Sequence, residues 1–221
     1  MTISKQLLAT TPIITGAITD FQLEFLMDRL QEVLKANIPG AIVELGCNTG
    51  TTAIFIRKLL DLYESQKTYH VYDSFEGLPK KSNQDKFVGR GKDFVSVEHE
   101  KMLVELLKEG KMACPQEALE KIFHKFNLQL PTINKGWFAT IPNEKYPEKI
   151  CFAFLDGDFY SSIIDSFNKI YHKLVPGSVV CIHDYGWDYL PGVKKACTDF
   201  LNDKPESVIE GVFKLGFFVK E

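Results

Sequence analysis

Short apolar runs alternate along this chain with stretches in which apolar residues recur every three or four positions. AIVEL (41–45), YHVYD (69–73), ICFAFLD (150–156) and SVVCIHD (178–184) are short and rich in β-branched or aromatic residues, so each predicts a buried strand. LPTINKGWF (130–138) predicts a weaker one. Between them the period changes to that of a helix. After Asp20 as N-cap, Leu23, Leu26, Leu30, Val33 and Leu34 fall on one helical face, and Pro39-Gly40 ends it. Residues 51–63 are helical through Ile54, Ile56, Leu59, Leu60 and Tyr63. Further helices are predicted over 97–109, 115–126, 160–174 and from Pro191 onward. The end of the chain, SVIEGVFKLGFFVKE, reads as two strands joined by a tight turn.

Strands that alternate with helices predict an α/β fold, a parallel sheet with helices on both faces. The terminal pair must be antiparallel, because so short a connection permits nothing else. The expectation is one domain over 1–221, with an N-terminal helical segment (1–40). A polar, glycine-containing stretch, KKSNQDKFVGRGKDF, opens an expected lid or insert over 80–130. In open sheets of this kind ligands bind beyond the carboxyl ends of the strands. That rule directs attention to Glu44–Gly50, Asp73–Gly77, Gly136–Phe138, Asp156–Tyr160 and His183–Trp187.

Composition narrows the partners. With 45% apolar and 25% charged residues the chain is that of a soluble globular protein. A net charge of −3 gives no electrostatic case for nucleic acid or an anionic membrane surface. Five cysteines, an odd number with no CxxC pair, point to a reducing, cytoplasmic setting rather than a disulfide framework or zinc cluster. No signal-peptide pattern or membrane-spanning stretch is present in the sequence. The N-terminal helix is free to pack on the sheet or on a second copy, which leaves a homodimer open.

The chemistry gathers at the strand ends. ELGCNTGTT (44–52) is a strand-to-helix turn in which Gly46 and Gly50 permit a sharp bend and close approach of a ligand. It is either an ordinary turn or a nucleoside-binding loop. It is not the dinucleotide fingerprint, since Asn48 stands where the middle glycine would be, and this disfavours a nicotinamide oxidoreductase. Glu44, at the strand end, is placed to meet a ligand amino group, and Asp73 to accept from ribose hydroxyls. In HDYGW (183–187) the His183-Asp184 pair reads as a metal pair, a base with its orienter, or a solvated turn. Asp156, expected on the neighbouring strand end, gives it weight: two carboxylates there suit Mg²⁺ or a similar hard cation. Trp137, Tyr160, Tyr185, Trp187 and Tyr189 are core aromatics by default and pocket walls otherwise, with Trp187 and Tyr189 foremost.

Taken together, YDSFEGLP (72–79), GKDF (91–94), GWFATIP (136–142), FLDGDFYSS (154–162), LVPGSVVCIHDYG (174–186) and GVKKACTDF (192–200) resemble the TylF-type macrocin O-methyltransferases. These are class I S-adenosylmethionine-dependent enzymes that methylate hydroxyls on sugars of glycosylated products. The resemblance implies a Rossmann-like seven-stranded sheet with an antiparallel last strand, S-adenosyl-L-methionine as cofactor, and a divalent cation that orients the acceptor. It implies cofactor contacts from Glu44, Gly46, Gly50, Asp73 and Ser74, and metal ligation by Asp156 and Asp184; Asn48, Thr51, Trp137 and Asp156, at the same strand ends, are further expected cofactor contacts. Tyr160, Tyr185, Trp187 and Tyr189 are the expected acceptor contacts. The chain departs from the family at 183, where His183 replaces the first of two acids before the tyrosine. That histidine can ligate, act as base, or mark a weakened metal site. For the base that draws off the hydroxyl proton, the expectation is His183 first and Asp158 second. The rival reading is a methyltransferase-like nucleoside-binding or assembly protein without turnover.

Overall fold

The most apolar runs of the sequence form the middle of the sheet. The computed structural model describes residues 1–87 and 96–221, so GKDF (91–94) and the centre of the expected loop lie outside the described residues. Helices α1 (Ile3–Thr10) and α2 (Asp20–Lys35) lead into β1 (Ala41–Leu45), α3 (Thr51–Leu62) and β2 (Tyr69–Asp73). Next come α4 (Val97–Leu106), α5 (Gln116–Lys125), β3 (Thr132–Lys135) and β4 (Ile150–Leu155). The chain ends with α6 (Tyr160–Ile170), β5 (Leu174–Ile182), α7 (Pro191–Leu201), β6 (Ile209–Glu210) and β7 (Gly216–Val219). Among the described residues seven strands make one sheet in the order β3-β2-β1-β4-β5-β7-β6. Strands β1 to β5 are parallel, and β7 runs antiparallel to both β5 and β6, as the short terminal connection required.

Side chains alternate across a strand, and that alternation divides the core. Val43 and Leu45 of β1 join the layer under α6 and α7, with Ile163, Phe167 and Val193. Ile42 faces the opposite layer, with Leu23, Leu26 and Leu30 of α2, Ile56 of α3 and Phe123 of α5. Helices therefore cover both faces, and β1 and β4, buried throughout, read as unbroken apolar runs for that reason.

The N-terminal segment packs on the sheet. The cap of helix α2 lies one residue before the expected one. Thr19, not Asp20, closes a capping box: Thr19 Oγ1 accepts the Gln22 N–H at 3.3 Å and Gln22 Oε1 accepts the Thr19 N–H at 2.9 Å. A cap of this kind is worth about 1 kcal/mol. Asp20 becomes the first helical residue, where its charge still suits the positive end of the helix. No helix among the described residues is long and apolar enough to cross a membrane, and all five cysteines are free and buried.

Candidate active site

Sheet register assembles the site. Leu45 pairs with Tyr72 on one side and Leu155 on the other, and Leu155 pairs with Ile182. The next residue on each strand therefore falls in one row: Asp73, Gly46, Asp156 and His183. The ladder continues through that row, with Gly46 N–H to Tyr72 O at 2.8 Å, Asp156 N–H to Leu45 O at 2.8 Å and His183 N–H to Leu155 O at 2.9 Å. Four separate segments reach one rim because their apolar runs end at the same level.

Three of these residues form a compact cluster. His183 Nδ1 lies 3.0 Å from Asp156 Oδ1 and 3.0 Å from Asp184 Oδ2. His183 and Asp184 are buried, and Asp184 holds a left-handed φ of 56° that turns the chain back over the strand end. Burial works against a charge on the imidazole, but the two carboxylates outweigh it and hold its pKa well above the ordinary histidine range. On its other side, His183 Nε2 stands 3.1 Å from Gln22 Nε2, which donates to the Phe213 carbonyl at 2.7 Å. Gln22 was not among the candidates from the sequence. The available signal was its place on the buried stripe of α2, four residues before Leu26, where a polar side chain needs a partner.

Asp158 stands beside the cluster. It too is left-handed, at φ 60°, and it lines the same cavity. Burial, and then the negative charges of Asp156 and Asp184, push its carboxyl well above the usual range.

The cofactor-side candidates separate into two groups. Asp73 braces the β1–α3 turn: its Oδ2 accepts from the N–H groups of Cys47 at 2.9 Å and Asn48 at 3.0 Å, and its Oδ1 from Phe75 at 2.8 Å. Those bonds fix the carboxylate at the strand end, where Asp73 also lines the cavity. Gly46, Asn48, Asp73, Ser74, Trp137 and Asp156 all line the cavity. Gly46 has φ 94°, and a Cβ there would run into the Asp156 carbonyl oxygen, so glycine is required for the turn itself.

Glu44, Gly50 and Thr51 are not brought to the cavity wall. Glu44 shares the face of Ile42, and its carboxyl receives hydrogen bonds from Thr52 and Tyr69 inside the helical layer. Burial is the main cause that pushes its pKa up to about 8. Gly50 has φ 90° and packs under Leu119 of α5, where a Cβ would collide with that side chain. The Thr51 hydroxyl is buried at the first position of α3 with no hydrogen-bond partner among the described residues.

The cavity holds about 440 Å³, a nucleoside-sized space, beneath the apolar side chains of Leu103, Leu107 and Met112. Of the expected acceptor aromatics, Trp187 lines it. Tyr160 instead turns its hydroxyl to Asp199 at 3.0 Å, across α6 and α7. Tyr185 packs against Gly216, and Tyr189 is buried in a stack on Phe87 at 4.7 Å.

Size, the bare backbone at Gly46 and the Asp73 carboxylate on the wall fit a nucleoside cofactor. The cation fits less well. Asp156, His183 and Asp184 each offer a ligand atom, all within 4.8 Å of one another, and the two carboxylates suit a hard ion. A histidine that ligates through one nitrogen gives its other N–H to an acceptor. Here that other nitrogen faces an amide N–H donor, so the imidazole does not fit as the third ligand.

The sequence profile of the macrocin O-methyltransferase (TylF) family matches residues 10–215. The chain is 31% identical over 178 residues to the 8-demethyl-8-(2,3-dimethoxy-α-L-rhamnosyl)-tetracenomycin-C 4'-O-methyltransferase of Streptomyces olivaceus, covering 79% of this chain and 61% of that protein. It is 25% identical over 175 residues to the mycinamicin III 3''-O-methyltransferase of Micromonospora griseorubida, covering 77% of this chain and 64% of the relative. The chain thus spans about three fifths of the length of the curated relatives it matches. Among solved structures, the O-methyltransferase NovP superposes with a TM-score of 0.74 at 22% identity, over 91% of this chain and 81% of that one. The calicheamicin methyltransferase CalS11 gives 0.68 at 20% identity, over 98% and 89%. These structural likenesses establish the fold, a class I Rossmann-like methyltransferase sheet. With the profile spanning nearly the whole sequence, the chain belongs to the TylF macrocin O-methyltransferase family.

Proposed function

We propose that this chain transfers a methyl group from S-adenosyl-L-methionine to a hydroxyl of a sugar or glycosylated small molecule. The observation that carries the reading is a single cavity, in a chain of this family, whose wall holds both the cofactor-side residues Gly46, Asn48, Asp73 and Trp137 and the carboxylates Asp156 and Asp158. Relatives named for O-methylation of rhamnosyl-tetracenomycin and mycinamicin support the acceptor class. Five free, buried cysteines accord with a cytoplasmic setting.

When bound, the cofactor supplies a sulfonium methyl, which is already a strong electrophile. The protein must supply position and proton removal. Holding the hydroxyl in line with the methyl is worth roughly 7–11 kcal/mol of the barrier. Asp158 is the base in this reading, ahead of His183. Its raised affinity for protons matches the task, and it faces the cavity, whereas both ring nitrogens of His183 are engaged. The hydroxyl proton passes to Asp158 as the oxygen bonds to the methyl carbon and the carbon–sulfur bond breaks, which leaves S-adenosylhomocysteine. Leu103, Leu107 and Met112 act as a roof that keeps water out, the role expected of a lid. Asp156 and Asp184 are the two ligands available to the divalent cation expected from the resemblance. His183 supplies no third ligand.

The test is release of S-adenosylhomocysteine from S-adenosylmethionine with a panel of rhamnosides and nucleotide sugars, with Mg²⁺ and with a chelator. Asp158→Asn is expected to lower kcat by about 10²–10⁴-fold while S-adenosylhomocysteine still binds. Tight cofactor binding with no acceptor turned over would instead support the rival, a nucleoside-binding or assembly protein.

A further inference from the structure

The side-chain amide of Gln22 has one orientation that its neighbours accept. Its Oε1 takes the Thr19 backbone N–H at 2.9 Å and the Thr19 hydroxyl at 3.0 Å, and its Nε2 donates to the Phe213 carbonyl at 2.7 Å. Turning the amide over would set oxygen against the Phe213 carbonyl and an N–H against the Thr19 N–H. That loses the capping box and buries two mismatched pairs. The second N–H of Gln22 therefore meets His183 Nε2, 3.1 Å away. An amide nitrogen cannot accept, so a neutral ring places its proton on Nδ1. An imidazolium also carries a proton on Nδ1, where the two carboxylates favour it, but it turns its Nε2–H toward the Gln22 donor. The one form with a bare Nδ1 would aim a lone pair at two carboxylate oxygens 3.0 Å away and press Nε2–H against the Gln22 donor.

We propose that His183 is an N–H bridge between Asp156 and Asp184, in the position where a third acid and a divalent cation would otherwise meet, and that Gln22 is the residue that positions it. Two carboxylates that share a site repel, and a donor held between them relieves the repulsion. A third acid at 183 would worsen it and call for a cation. The imidazole N–H removes that need, so the acid pair keeps its geometry with no ion bound. The capping box of α2 thereby reaches the catalytic rim: the same Gln22 oxygen that starts the helix fixes which face of its amide the histidine meets.

This inference concerns the site of the proposed reaction, but its test reads ring nitrogens and ion binding rather than turnover, so the two readings fail separately. In the full chain with ¹⁵N-labelled histidine, proton–nitrogen correlation spectra at alkaline pH, where the ring is neutral, distinguish protonated from bare nitrogens. The His183 signals are assigned by their loss in His183→Asp. The expected result is a proton on Nδ1 and a bare Nε2; a bare Nδ1 overturns the bridge. In Gln22→Glu the new carboxylate accepts at Nε2, so the ring is expected to hold a second proton there and to stay doubly protonated to higher pH than in the wild type; a spectrum that stays as in the wild type overturns the positioning role. Independently, Mn²⁺ alone is titrated and followed by electron paramagnetic resonance. His183→Asp is expected to bind about 10–100-fold more tightly than the wild type. Equal affinities, tight or absent alike, overturn the proposal.

Discussion

A carboxyl group sealed inside a sheet and helix layer keeps its proton to higher pH than one in water, and Glu44 is fully sealed. Its folded pKa is pushed up to about 8 from an ordinary value of 4.5. Between those values the unfolded chain releases the proton and the folded chain retains it. The contribution of Glu44 to stability is therefore complete below 4.5 and is lost as pH rises toward 8, with a slope of at most about 1.4 kcal/mol per pH unit. Glu44→Gln cannot ionise, so its stability should be flatter across that window. Denaturant midpoints of both proteins at pH 5 and pH 8 check this: the wild type is expected to lose stability over that interval relative to the variant. An equal loss in both would mean that Glu44 is charged in the fold. The same burial explains why Glu44 serves the core here. Its alternation with Ile42 was readable from AIVEL, but a polar residue at a strand end also fits a ligand contact, and only Thr52 and Tyr69 in place distinguish the two.

Helices and strands differ in how plainly they were written. Strands β1, β4 and β5 were legible as apolar runs because both faces of the central sheet are covered, and register then brought Asp73, Asp156 and His183 to one rim. Helix α1 was not legible as a separate element, because it buries only Ser4 and Leu7 and leaves little periodicity to read. Gln22 was overlooked for a related reason: helical pattern counts apolar residues, and a buried amide on that stripe carries no hydrophobic signal. The aromatics expected at the acceptor divided by the same physics. Tyr160 sits on a helix face whose hydroxyl finds Asp199, which sequence spacing does not reveal. At this scale the start of α2 is the informative point. Thr19→Ala removes the cap hydroxyl and should cost about 1 kcal/mol in a denaturant melt. Thr19→Ser keeps the oxygen and should restore most of it. If alanine and serine melt alike, the hydroxyl does not carry the capping box.

At the scale of the whole molecule, the cavity belongs to no single element. Its wall joins the ends of β1, β2, β4 and β5, and α4 supplies part of its roof. A ligand that fills it binds the folded chain and has nothing comparable to bind in the unfolded one. Occupancy and global stability are then linked, and a ligand at a hundred times its Kd adds about 2.7 kcal/mol. For a chain of 221 residues each kcal/mol moves Tm by about 2–4 °C, so S-adenosylhomocysteine at that excess should raise Tm by roughly 5–11 °C. NAD is the matched control. It shares the adenosine but brings a pyrophosphate, and the 46–50 turn has Asn48 where a dinucleotide loop needs its middle glycine. Asp73 can meet either ribose, so a shift with both ligands would point to the adenosine half alone as the determinant. A shift with S-adenosylhomocysteine and none with NAD is the expected outcome. It would assign the discrimination to the bend at Gly46 and Asn48, where the backbone closes against Asp156 and the sequence lacks the glycine pattern of a pyrophosphate loop.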